Sequence, residues 1–143
     1  FYYTLQIVSL VAWVVTAFVL DWQKALIYVV IPQQVSLNTV LIFNYLQHVH
    51  ADEESEYDHS RNIVGWPLNF FLFNNGLHTI HHMKPGLHWS KTPEAHQKIE
   101  HLIRPDLNEK YALWFVFRVY ILGLFIPRFR THSLRLARKQ SET

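Results

Sequence analysis

The sequence predicts an all-α integral membrane protein: a transmembrane helical hairpin with a cytosolic helical cap that carries histidine ligands. Three observations predict it. Two uncharged runs open the chain, each near the ~20 residues a helix needs to cross a bilayer. A polar, histidine-rich stretch follows. Within that stretch, Asn74-Asn75-Gly76-Leu77-His78-Thr79-Ile80-His81-His82 places three imidazoles at i, i+3 and i+4, one face of a helix.

Three imidazoles on one face make a metal-ligand array. A looser pair, Asn44 and His48, stands at i, i+4 near the end of the second apolar run. Neutral imidazole suits zinc, copper, iron and nickel, so these residues alone leave the metal open. The chain has 10 histidines, and most of them belong to the surface by default. The triplet carries the signal because its spacing is specific.

Composition excludes several classes. Half of the 143 residues are hydrophobic and 15% are aromatic, but there is no cysteine, which rules out disulfides, thiol catalysis and iron–sulfur ligation by these residues. The formal charge of +2 is divided, with acidic residues around positions 52–58 and basic ones after 127. The basic tail lacks the motifs of a nucleic-acid binder, so no nucleic-acid partner is expected. The chain starts at Phe1 inside an apolar run, without an initiator methionine, and is read as the carboxy-terminal part of a longer protein.

Phe1 to Leu20 reads as one membrane helix, and Asp21-Trp22-Gln23-Lys24 as a turn at headgroup level. Ala25 to Leu46 reads as the returning helix, kinked at Pro32. The acidic segment after it is expected to be solvated. Carboxylates near bound imidazoles often accept the second ring N–H, which makes Asp52 and Asp58 supporting candidates, with His50 and His59 as minor ones. Ile63 to Phe73 is expected to be a short helix or a partly buried segment, and Met83-Lys84-Pro85-Gly86 to end the triplet's helix. A further helix should start near Ser90 or Thr92 and run to about Ile103, leaving His88, His96 and His101 at the surface or interface.

Tyr111 to Ile126 is apolar, but Arg118 sits in its middle, so an interfacial helix is expected in place of a third crossing. Arg128, Arg130, Arg135, Arg138 and Lys139 favour the cytoplasmic side, which places the histidines there too. The expected divisions are a hairpin at 1–46, a histidine region at 47–106, an interfacial helix at 107–127 and a basic tail at 128–143.

The block from Asn44 through His48 and His50, then Tyr57-Asp58, then Asn74 to His82, then Pro85-Gly86-Leu87-His88-Trp89, resembles the carboxy-terminal half of membrane fatty acid desaturases. The resemblance covers Val40 to His101 with specific motifs and the flanking helices by pattern. It implies that His78, His81 and His82 form the last histidine box and bind a non-haem di-iron centre. It also implies that His48 is an iron ligand and that Asn44 acts through a water. No catalytic residue beyond the metal centre is implied. The family's two earlier boxes are not found here, so two iron ions would share their ligands with a missing amino-terminal part, and this chain alone is expected to be inactive. The resemblance further implies a fatty acyl substrate (acyl-lipid or acyl-CoA), a lipid bilayer, and an electron-donor protein of ferredoxin-like or cytochrome type. Dioxygen and two electrons would then introduce a double bond. Alternatives are a hydroxylase or ketolase of the same histidine-box superfamily and, from another class, a membrane metal-binding or transport protein.

Overall fold

The computed structural model describes residues 1–142. The chain divides into two units, Phe1–Phe43 and the residues from Asn44 onward. The class is all-α, as the sequence predicts.

The first unit begins with α1 (Tyr2–Leu20), none of whose residues is buried. A helix that is apolar on every side and covered by nothing suits a lipid environment better than water. Asp21 ends it in an extended conformation and caps α2 (Trp22–Ala25), accepting the Lys24 backbone N–H at 3.1 Å. From there a π segment (Leu26–Val30) leads into α3 (Ile31–His48) without a break. Pro32 has no N–H to give to the carbonyl four residues before it, and the ladder just ahead is wound wider, with Ile31 bonding back to Leu26. Tyr2–Leu20 and Trp22–His48 are both long and apolar enough to cross a membrane. Three of their polar side chains fold onto their own helix: Thr16 donates to Ala12, Asn38 to Gln34 and Thr39 to Val35, each at 2.7 Å, which satisfies these donors without water.

The second unit starts in the last turn of α3. Its apolar centre is Ala51, Ile103 and Leu107, with Tyr57, Ile99 and Leu134 packed on it. A two-residue parallel pair, β1 (Asn62–Ile63) and β2 (Asn108–Glu109), ties its ends together, Asn62 opposite Asn108 and Ile63 opposite Glu109. Such short strands carry no alternation, and the sequence reading has no place for them. Between them lie α4 (Trp66–Phe71), α5 (His78–Met83) and α6 (Thr92–Ile99). Contrary to expectation His96 is not at the surface: α6 turns it inward to 4% exposure.

Beyond β2, α7 (Ala112–Val116), a π segment (Phe117–Leu122) and α8 (Gly123–Phe125) form one apolar helix. Arg118 pairs with Glu109 inside the unit, its guanidinium near the Phe115 ring. Last comes α9 (Leu134–Ser141).

The acidic segment is exposed at Glu53, Glu54 and Glu56, as expected, but Asp52 is buried and the run is ion-paired. Arg138 reaches Asp52 and Glu54 at 2.6 Å each, Arg135 reaches Glu53 at 2.6 Å and Glu54 at 2.8 Å, and Lys139 reaches Glu54 at 3.2 Å. Two stretches some eighty positions apart in sequence cancel each other's charge, which no local reading of either could reveal. The Arg138 hydrogen bonds hold the carboxyls of Asp52 and Glu54 below the usual carboxylate range. A carboxyl depressed in the folded state contributes stability above its unfolded value, about pH 4, and loses it as pH falls through the folded value. Residues 134–141 are therefore expected to detach on acidification below about pH 4. Hydrogen exchange of α9 across pH 7 to 3 checks this: Arg138→Ala should remove most of the pH dependence, and an α9 equally protected at both extremes contradicts it.

Candidate metal centre

The end of α3 delivers Gln47 and His48, and α5 delivers His78, His81 and His82. Buried polar side chains bring the two segments together. Gln47 is 1% exposed, and its amide donates to the Asn75 carbonyl at 2.9 Å, just ahead of α5. The Gln47 backbone carbonyl accepts the Arg61 backbone N–H at 2.6 Å. Asn62, fully buried, accepts the Thr79 backbone N–H at 2.9 Å and donates to the Thr79 hydroxyl and the Asn108 side chain at 3.0 Å each. The Thr79 hydroxyl also meets Ser60 at 3.1 Å. Asn62 thus satisfies one of the free N–H groups at the start of α5 and fixes that helix to β1.

Gly76 permits the approach. The Ile63 N–H donates to its carbonyl at 2.8 Å, and a Cβ at position 76 would lie 2.6 Å from the Ile63 carbonyl oxygen and 2.4 Å from Asn69 Oδ1. Asn74, at φ 62°, turns the chain into this loop in the left-handed conformation that asparagine tolerates. Its side chain donates to the Trp89 carbonyl at 2.9 Å.

The result is a triangle of Nε2 atoms: His48 to His78 at 3.1 Å, His78 to His82 at 3.0 Å and His48 to His82 at 3.3 Å. Each Nε2 is either a donor or an acceptor, so among three facing one another at least one pair must be alike and repel. A single cation at the centre removes the conflict. An ion about 2.0–2.1 Å from three imidazole nitrogens sets them roughly 3.0–3.4 Å apart, the spacing seen here. The residues fit a metal ion.

Electrostatics agree with a ligand role. Burial, with His82 and His48 alongside, pushes His78 down to about 3. Burial and the neighbouring His48 also lower His82. Both rings therefore stay neutral near pH 7, with lone pairs available.

His81 is exposed and does not join the triangle; its ring stacks on His78 at 5.3 Å between centroids. Asn44 lies one turn before His48 and is exposed. The supporting candidates are engaged elsewhere, and none hydrogen-bonds a ring of the triangle. Asp52 holds Arg138, Asp58 accepts the Arg104 backbone N–H at 2.9 Å, and the His50 Nδ1 meets the Thr131 hydroxyl at 2.6 Å. His59 packs edge-on against His82 at 5.5 Å, its Nδ1–H donating to the Glu56 carbonyl at 3.0 Å.

The Fatty acid desaturase family profile matches residues 1–113 of the chain. The chain belongs to the fatty acid desaturase family. The family is one of oxidoreductases, generally di-iron, and membership supports a desaturase-like function with a lipid substrate and a membrane setting. No curated protein and no solved structure matches the chain.

The residues that sequence reasoning missed are Gln47, Ser60, Asn62 and Thr79. The available signal was weak: a polar triplet, Ser60-Arg61-Asn62, stands directly before an apolar segment. Asn62→Ala removes the partner of a buried N–H and hydroxyl and is expected to cost about 1–3 kcal/mol. Thermal unfolding measures that loss, and metal analysis of the same variant should show weaker retention although every histidine is intact. An unchanged melting temperature with unchanged metal would refute the positioning role.

Proposed function

We propose that the chain provides ligands to a non-haem di-iron centre that desaturates a fatty acyl chain, with His48, His78 and His82 on one iron. His81 serves the second iron, and Asn44 contributes through a water. The observation that carries this reading is the convergence of the His48 Nε2, from the end of an apolar helix, with those of His78 and His82 thirty and more positions later. Four imidazoles do not fill two irons, so the remaining ligands come from residues outside these 143.

When bound, the irons supply the oxidising power, drawn from dioxygen and two electrons, that an unactivated methylene C–H bond requires. The protein residues bind, hold and orient. His78 and His82 present neutral nitrogens, and Asn62 and Gln47 keep the rings from drifting. A misplacement of about 1 Å would cost a large factor in rate. The two apolar helices act as a hairpin in the bilayer, and the acyl chain approaches along it. The centre lies on the cytoplasmic side, where Arg128 and Arg130 have no carboxylate partner among the described residues and an electron-donor protein delivers electrons.

His78→Ala and His82→Ala in the full-length protein are each expected to lose most of the bound iron and the unsaturated product. Elemental analysis reads the first effect and mass spectrometry of acyl chains the second. A product two hydrogens lighter supports the reading, while one heavier by an oxygen assigns a hydroxylase instead. Zinc in place of iron, or iron content indifferent to both substitutions, overturns it.

A further inference from the structure

Arginines crowd a second cavity, of about 390 Å³, away from the triangle of imidazoles: Arg61, Arg104, Arg118, Arg128 and Arg130 line it, against two carboxylates, Asp106 and Glu109. Their charges are unevenly answered. Arg104 pairs with Asp106 at 3.1 Å and Arg118 with Glu109. Arg61, Arg128 and Arg130 have no ion-pair partner among the described residues.

Arg61 is the telling one. It is 2% exposed, its Nε has no partner, and its terminal nitrogens reach only the Asp106 and Val49 carbonyls, at a long 3.4 Å each. The Phe115 ring 4.4 Å from its guanidinium gives partial relief. Glu109 and Asp106 are near enough to act on it electrostatically, but each is ion-paired to another arginine, and a buried guanidinium with no carboxylate in direct contact favours an added anion.

The other two guanidiniums at the cavity are exposed. Arg130 donates to the Gly123 and Leu124 carbonyls at 2.7 and 3.3 Å, which leaves one terminal nitrogen without a protein acceptor among the described residues, and Arg128 lies over the Phe129 ring at 4.9 Å. Both follow directly on the apolar helix, whose Leu124 and Phe125 are exposed at 66% and 79%. Guanidinium forks match phosphate oxygens in geometry and stay charged at any relevant pH. Arg118, Arg128, Arg130 and His132 all lie beyond the residues matched by the family profile.

We propose that this cavity binds a phosphate ester. Arg61 supplies the buried counter-charge, and Arg128 and Arg130 contact the phosphate oxygens. The phosphate belongs either to a membrane lipid headgroup or to a soluble ester. This site stands independently of the metal centre.

The test uses the full-length protein in detergent micelles, with two probes: inorganic pyrophosphate by calorimetry, and phosphatidylglycerol by native mass spectrometry. Arg128→Gln and Arg130→Gln are each expected to weaken retention about tenfold, the loss of one charge-assisted contact. Lys98→Gln removes an equal charge on α6 and should change nothing. Arg61→Gln is left out of the deciding comparison, because its burial puts folding at risk. Pyrophosphate binding that depends on both arginines supports the proposal and assigns a soluble ester. Phosphatidylglycerol retention that depends on them, without pyrophosphate binding, supports it and assigns a headgroup. The proposal is overturned if neither probe binds the wild-type protein, or if binding is the same in both arginine variants and in Lys98→Gln.

Discussion

Gln47 carries a side-chain amide into the interior, and the Asn75 carbonyl is what receives it. With the Asn62–Thr79 bonds, this contact holds the last turn of a long apolar helix against a six-residue helix that could not persist alone. Take these polar contacts away and the imidazoles have no reason to share a point. Apolar packing could not replace them, because the segments meet through backbone and amide groups that require partners once buried.

The same economy governs charge. The acidic segment and α9 neutralise one another, which leaves the tail's remaining arginines, 128 and 130, without a carboxylate partner among the described residues. Arg118 shows the converse. Its place within an apolar stretch is tolerable because Glu109 and the Phe115 ring meet it inside the unit.

Much of the fold was legible because its signals are local. Uncharged runs of the right length, Phe1 to Leu20 and Ala25 to Leu46, marked the helices Tyr2–Leu20 and Trp22–His48, although Trp22 to Lys24, read as a turn, belongs to the second helix; the proline-glycine pair marked the end of α5. Spacing also picked out the histidine triplet, and the block from Asn44 to Trp89 pointed to the desaturase family that the profile match establishes. The interior position of His96, the ion-paired acidic segment and the strand pair were not legible. Each depends on a partner far along the chain, and neither periodicity nor composition carries information about such partners.

By itself the sequence determined which segments are apolar enough for a bilayer, where helices stop, and that three imidazoles recur at helical spacing. Those properties follow from side-chain chemistry and the 3.6-residue turn. Only the tertiary structure decided that His48, not His81, closes the triangle with His78 and His82. That choice rests on where the last turn of α3, from Asn44 to His48, meets α5, and buried hydrogen bonds between remote residues set it.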